Sequence, residues 1–252
     1  MKSSNTEIKT PSSKYYDEFW ETLGERLHET ELMRRDFIRK AIGNYAPKRE
    51  LAILDLGCGR GWLAADLADC GRVTGVDFSA KSLEIARSRF GERAQFVVAE
   101  PDSPTWGLPT DLKFDVVVCT EVIEHVQDAE DFVNQVRNML LPGGLLLLTT
   151  PNGNVWNDFV HDRRFLHALQ PVENWLTPSR LSQVLRSAGF KIVVHEGRVV
   201  RECRYGKRSW FQRRIFWRCI KLLGREASYY RAIVMNAFCQ VVVCREPDRP
   251  DN

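Results

Sequence analysis

Two acids and three glycines lie where a small polar ligand can be held. In Leu51-Ala-Ile-Leu-Asp55-Leu-Gly57-Cys-Gly59-Arg-Gly61-Trp62 an apolar run that reads as a strand ends in a glycine-rich turn and passes into a helix. Such a turn brings backbone amides and a helix N-terminus close to a ligand. A dinucleotide fingerprint would read G-x-G-x-x-G; here the third glycine follows the second by two residues, and the strand ends in a carboxylate, Asp55. That charge repels a pyrophosphate and attracts an ammonium group. Twenty residues beyond Gly57, Asp77 closes the next apolar run, where a carboxylate can accept hydrogen bonds from both hydroxyls of a ribose. Phe78 beside it can pack on a purine face. Taken alone, Asp77 is as well explained as a turn residue; behind the glycine turn, the ligand reading is preferred. A nucleoside with a cationic amino-acid tail and no phosphate satisfies both acids, and S-adenosylmethionine is such a compound.

The second constellation is Cys119-Thr120-Glu121-Val-Ile-Glu124-His125, following the fourth apolar run. Ligands of open α/β sheets meet the carboxyl ends of the strands, so Thr120 is expected on the cofactor side and the residues after it at the reacting end. If the stretch is a helical turn, Glu121, Glu124 and His125 stand at i, i+3 and i+4 and share a face. Three readings stay open. His125 can act as a general base toward an acceptor hydroxyl; the three residues can ligate a hard divalent ion such as Mg2+ that orients a diol; or they cap the helix and bond to one another.

The elements that must position these groups alternate from Leu51 onward. Strands are expected at Leu51 to Leu56, Arg72 to Val76, Ala94 to Ala99, Phe114 to Cys119, Gly144 to Thr149, Phe190 to His195 and Ala237 to Cys244. Ser79 is placed to N-cap a helix over Ala80 to Phe90. Asp128 is expected to open one running to Leu140 that Pro142-Gly143-Gly144 ends, and Thr177-Pro178 reads as N-cap and first residue of a third. The fold class is α/β: a doubly wound, Rossmann-like, seven-stranded sheet with its last strand antiparallel. Around a core of residues 49–197 and 236–246, three additions are expected: a disordered tail (1–13), an N-terminal helical cap (14–48) and a basic helical lid (198–235). The cap shows helical periodicity from Tyr15 to Ile42, with Phe19, Trp20, Leu23, Leu27 and Leu32 on one side.

LDLGCGRG, VDFS, FDVVVCTEVIEHV and LLPGGLLLLTTPN, in that order across about residues 50–195, resemble the successive motifs of class I S-adenosylmethionine-dependent methyltransferases. The resemblance implies that Asp55, Gly57, Gly59 and Gly61 line the methionine end and that Asp77 holds the ribose. It also implies that Glu100 meets the adenine amino group. Pro101 departs from the pattern, since it has no N–H to offer the ring; Asp102 is the substitute for Glu100. The E-x-x-E-H arrangement resembles both the ubiquinone-pathway O-methyltransferases and the small-RNA terminal 2′-O-methyltransferases, families in which it is associated with a divalent metal. His161 and His167 are the further ligand candidates on that reading.

What surrounds the acceptor is less specific. Thr150-Pro151-Asn152 leads into a connection bearing Trp156, Phe159, His161 and Phe165, which is expected to line the acceptor pocket, while Trp175 reads as core. From Arg198 to Arg231 there are eleven Lys or Arg against two Glu, a local net of +9 in a chain of +3. Interleaved with Trp210, Phe211 and Phe216, they make a basic amphipathic helix. It reads first as a lid, then as a peripheral contact with an anionic membrane surface; nucleic acid is disfavoured, because the rest of the chain is acidic and has no RNA-binding module. The acceptor is expected to be a small or lipid-linked metabolite methylated on oxygen, with RNA, N-methylation and a non-catalytic interaction subunit as alternatives. No apolar run is long enough for a signal peptide or a membrane span, so the cytoplasm, with contact at the inner membrane surface, is the expected compartment. Seven cysteines without a C-x-x-C pair read as reduced, mostly buried thiols.

Overall fold

The computed structural model describes residues 27, 29–100, 103–156, 172–198 and 239–247. Helix α1 (Glu29–Tyr45) precedes the core, which runs β1 (Leu51–Leu56), α2 (Trp62–Leu67), β2 (Gly71–Asp77), α3 (Ala80–Phe90), β3 (Gln95–Val98) and β4 (Phe114–Thr120). A single 3-10 turn (Ile123–His125) follows, then α4 (Ala129–Asn138), β5 (Leu140–Pro151), α5 (Gly153–Trp156), α6 (Pro178–Ser187), β6 (Lys191–Arg198) and β7 (Cys239–Arg245). The strands form one seven-stranded sheet in the order β3-β2-β1-β4-β5-β7-β6. The pairs among β1 to β5 are parallel, and β7 runs antiparallel to both β5 and β6. The expected α/β fold with its antiparallel last strand is therefore present. Order reverses at β1 and β4, the place where open α/β sheets bind their ligands, at the carboxyl ends of the strands.

Alternation along β1 divides two cores. Leu54 and Leu56 face a layer with α4 and α6, through Phe132, Val133, Val136, Leu181 and Leu185. Leu51 and Ile53 face the opposite layer with α1, α2 and α3, through Ile38, Leu63, Leu67 and Leu83. Asp55 falls on that second face by the same period of two, so a carboxylate points where the pattern otherwise places an apolar side chain.

Local caps agree with the sequence. Ser79 accepts from Ser82 N, Asp128 from Glu130 N and Asp131 N, and Thr177 from Arg180 N with Pro178 behind it. Three expectations need correction. The helix opened by Asp128 stops at Asn138 rather than Leu140, and Pro142-Gly143-Gly144 lies within β5, because Leu140 already pairs with Phe114 and the ladder bulges before Leu145 meets Val116. Helix α1 buries Phe37, Ile38, Ala41 and Ile42, whereas Leu32, placed on the apolar side by periodicity, is exposed. The third strand is shorter than Ala94 to Ala99 at both ends. Phe19, Trp20, Leu23, the 1–13 tail and nearly all of the 198–235 segment lie outside the described residues. Among the described residues, no helix is long and apolar enough to cross a membrane, and five cysteines are free thiols, four of them buried.

Removing the α4 cap tests this layer of the fold. Asp128→Ala strands two amide donors and should cost about 1 kcal/mol, read as a lower denaturation midpoint at unchanged slope.

Candidate active site

At the end of β1 the chain reverses through Gly57, Gly59 and Gly61, all with positive φ (75°, 51° and 77°). Gly57 N and Cys58 N donate to Val76 O at 2.8 and 3.0 Å, which pins the turn to β2. The glycines have separate reasons to be glycine. A Cβ on Gly57 would collide with Val122, just beyond β4, and one on Gly61 would stand 2.7 Å from the Phe96 ring and 2.8 Å from Ala86. Gly61, expected to line the methionine end, is thus required first by packing against β3 and α3. Gly59 N donates to Asp77 Oδ2 at 2.8 Å and Ser79 N to Oδ1 at 2.9 Å. Two backbone amides fix the Asp77 carboxylate at the rim of the crevice, with lone pairs left for further donors.

Asp55 is buried behind that turn. Neither of its oxygens has a hydrogen-bond partner of normal geometry. Burial, and then the charge of Asp77, push its carboxyl up to about 7, against the pull of the Ala64 backbone N–H at the start of α2. An acid so placed is neutral in mildly acidic solution and gains from any cation brought to the turn. Phe78 is half-buried and packs on the α4 side of the core, in the same cluster as Ala99 and Trp106. Trp106 is buried in a left-handed conformation (φ 51°) and meets Phe132 edge-on at 5.8 Å. Glu100 is exposed and lies against Gly107; Pro101 and Asp102 lie outside the described residues.

The reacting end differs from the shared helical face expected of Glu121, Glu124 and His125. Glu121 stands before the 3-10 turn in a left-handed conformation (φ 56°), so the i, i+3, i+4 geometry does not form. Such a conformation persists in a non-glycine residue only when its surroundings hold it. Here Glu121 N donates to Thr149 O at 2.9 Å, Thr149 Oγ1 donates to Glu121 Oε1 at 3.0 Å, and Arg34 of α1 pairs with Oε2 at 2.7 Å. Glu124 is 1% exposed and accepts from Thr150 Oγ1 at 3.0 Å. Desolvation, followed by the Glu121 charge, holds its carboxyl well above the usual range, opposed by its own backbone amide, Thr150 and Arg34. His125 Nδ1 lies 2.9 Å from Val172 O. A carbonyl only accepts, so Nδ1 carries the proton in the neutral ring. Its Nε2 lies 3.8 Å from Glu124 Oε1. Among the described residues no three His, Cys, Asp or Glu side chains gather as a metal site; His161 and His167 lie outside them.

A family model described as a methyltransferase domain matches residues 26–195. The chain belongs to that family. This methyltransferase is 33% identical over 184 residues, 68% of the chain and 76% of the relative, to a ubiquinone biosynthesis O-methyltransferase of Azoarcus sp. (strain BH72). It is 32% identical over 184 residues, 69% and 77%, to the protein of that name from Aromatoleum aromaticum. Its fold is that of magnesium protoporphyrin IX methyltransferase from Synechocystis PCC 6803 with bound S-adenosylhomocysteine, at TM-score 0.58 and 15% identity over 93% of this chain and 95% of that one. The N-methyltransferase NodS from Bradyrhizobium japonicum WM9, also with S-adenosylhomocysteine, matches at TM-score 0.57 and 15% identity over 88% and 89%. The chain is a class I S-adenosylmethionine-dependent methyltransferase.

The methyltransferase fits its cofactor by the chemistry of the turn. An unpartnered buried carboxylate beside a second carboxylate suits a cationic, phosphate-free ligand and opposes a diphosphate. The structure brings Asp55, Gly57, Gly59 and Asp77 together at the turn, with Phe78 packed on the core beside Asp77 and Thr120 at the end of β4, and places Glu121 before the 3-10 turn that carries Glu124 and His125. Sequence reasoning missed Arg34, which carries no signal inside a polar helical stretch. It also missed the 172–177 segment, whose Val172 O and Asn174 N hold His125 and Glu124 O through backbone atoms alone.

Asp55 supplies a pH test. Its folded pKa, about 7, lies above an ordinary carboxyl near 4, so the native state binds more protons between those values. Its stability is therefore full below about pH 4 and falls until about pH 7. Asp55→Asn should raise the melting temperature of the cofactor-free protein at pH 8.5 by removing up to about 4 kcal/mol of penalty, with the gain shrinking as pH falls and gone below about pH 4.

Proposed function

We propose that this enzyme methylates a hydroxyl oxygen of a small metabolite, with His125 as the proton acceptor. The observation that carries the reading is the bond from His125 Nδ1 to the Val172 carbonyl, 2.9 Å. It commits the proton to Nδ1 and leaves Nε2 as the basic nitrogen. S-adenosylmethionine supplies an electrophilic methyl on its sulfonium.

In this reading Asp55 and the turn at Gly57 and Gly59 take the methionine end, and Gly61 shapes that turn by packing. Asp77 accepts from the ribose, Phe78 packs on the adenine, Glu100 meets its amino group, and Thr120 borders the sulfonium. The acceptor O–H gives its proton to His125 Nε2 as its oxygen takes the methyl. The imidazolium so formed stands 3.9 Å from Glu173 Oε2, a carboxylate that stabilises the positive ring, while Glu124 Oε1, 3.8 Å from Nε2, belongs to a carboxyl that burial favours in its neutral form. Glu121 is a positioning residue that joins α1 to the end of β5 through Arg34 and Thr149. This reading asks no divalent metal of Glu121, Glu124 and His125: Arg34 and Thr149 hold Glu121, and Thr150 holds Glu124.

Oxygen as the acceptor atom is supported by the names of eight relatives, ubiquinone biosynthesis O-methyltransferases at 28–33% identity. Lipid-linked quinol-like phenols are the natural extension of the small-metabolite class, and short RNAs and amines are the competing classes. Methyl-labelled S-adenosylmethionine, offered with catechols, quinol-like phenols, amines and short RNAs, should label phenolic hydroxyls. His125→Gln should lower that turnover by a factor of roughly 10² to 10⁴, and a chelator should leave the wild-type rate unchanged. Undiminished turnover in His125→Gln overturns the proton-acceptor role; loss of activity with chelator, restored by magnesium, overturns the metal-free mechanism; and exclusive labelling of nitrogen or of RNA overturns the acceptor class.

A further inference from the structure

Gln240 stands on β7, 115 positions after His125, and is fully buried. Its amide reaches three elements. Nε2 donates to Leu176 O at 2.8 Å and to Pro151 O at 3.3 Å, and Oε1 lies 2.9 Å from His195 Nε2. The amide oxygen accepts, so His195 carries its proton on Nε2, and its Nδ1 accepts from Ser182 Oγ at 3.0 Å. Desolvation, the largest influence, lowers the pKa of His195; the Gln240 bond opposes it, and the Arg186 charge adds to it. The chain from half-buried Ser182 of α6 through half-buried His195 of β6 to buried Gln240 is thus a neutral relay of hydrogen bonds ending on two backbone carbonyls.

One of those carbonyls, Leu176 O, belongs to the strap that returns to the reacting end, and the other, Pro151 O, closes β5. Gly153 N also donates to Leu176 O, at 3.0 Å. Gly153 packs so closely beneath the strap that a Cβ there would strike Trp175 O. Two residues before Leu176, Asn174 N donates to Glu124 O at 2.7 Å, and two residues earlier again Val172 O takes the His125 Nδ1 proton. One short extended segment therefore carries, at one end, the grip of Gln240 and, at the other, the atom that sets which nitrogen of His125 is protonated.

We propose that Gln240 is a positioning residue for His125: it fixes residues 172–177, and through them the imidazole tautomer. The proposal rests on His125 as the proton acceptor only for its effect on catalysis; the tautomer itself is a separate observable. Exchanging this buried amide for an apolar isostere takes from Leu176 O one of its two donors and strands the His195 N–H, so the strap should shift when it is replaced.

The test uses the full-length protein labelled with 15N-histidine, with His125→Gln to assign the resonance, in solution where imidazole is neutral. Wild type should show a single Nδ1-protonated tautomer at His125. Gln240→Leu, binding S-adenosylhomocysteine with unchanged affinity, should show a mixture of tautomers, together with a kcat lower by roughly 10- to 100-fold and an unmoved KM for S-adenosylmethionine. Gln240→Asn, which retains the amide one methylene short, should recover part of both. If Gln240→Leu fails to bind the nucleoside, Gln240→Glu carries the same expectation, since it keeps an acceptor for His195 but sets a carboxyl oxygen against two carbonyls. A folded, nucleoside-binding variant with the wild-type tautomer overturns the proposal. His125→Gln with full turnover instead removes the proton-acceptor role and leaves the tautomer comparison to decide the positioning claim.

Discussion

Two carboxylates face one another across the first turn of the sheet, and the rest of the crevice is arranged around the cost of keeping them there. Asp55 lies fully buried on a face of β1 whose other members are apolar, without a hydrogen-bond partner of normal geometry. Asp77 lies one strand away, held by two amides and adding its charge to the burial of Asp55. A protein selected for stability alone would place an apolar residue at position 55. The penalty is relieved only when positive charge arrives, which is the electrostatic signature of a site for a sulfonium nucleoside with an ammonium tail rather than for a dinucleotide.

The glycine turn follows from the same constraint. To present its amides to Val76 and Asp77 while passing Val122, Phe96 and Ala86, the backbone must turn three times through positive φ with no room for a Cβ at Gly57 or Gly61. At the other side of the crevice the strain is carried by a residue with a side chain, Glu121, and is held by Thr149 and Arg34. The cofactor end is thus built from backbone and small residues. The reacting end is built from side chains locked by neighbours, and ends in the strap that carries Val172 and Asn174.

This division explains what was legible in the sequence. Strand, turn and acid are local features, and a period-two apolar run broken by Asp55 before three glycines is visible without knowing the fold. The caps at Ser79, Asp128 and Thr177 are equally local. The reacting end is not legible in this way, because the shared face holds only if the stretch is a helical turn, and Glu121 instead adopts a left-handed conformation held by Thr149 and Arg34. Arg34, Val172 and Gln240 act from 87, 47 and 115 positions away, by sequence numbering, on Glu121 or His125, and no spacing rule reaches across such intervals. The bulge at Pro142-Gly143-Gly144 escaped notice for a related reason, since whether such a turn precedes a strand or lies within it depends on Phe114 across the sheet.

Proton release on cofactor binding tests the central claim most directly. Calorimetric titration of the wild-type enzyme with S-adenosylmethionine at pH 6, repeated in buffers of different ionisation heat, should show close to one proton leaving Asp55 for each cofactor bound, and none above about pH 8. Binding with no proton released at pH 6, or an affinity for a nicotinamide dinucleotide that exceeds that for S-adenosylmethionine, would contradict it.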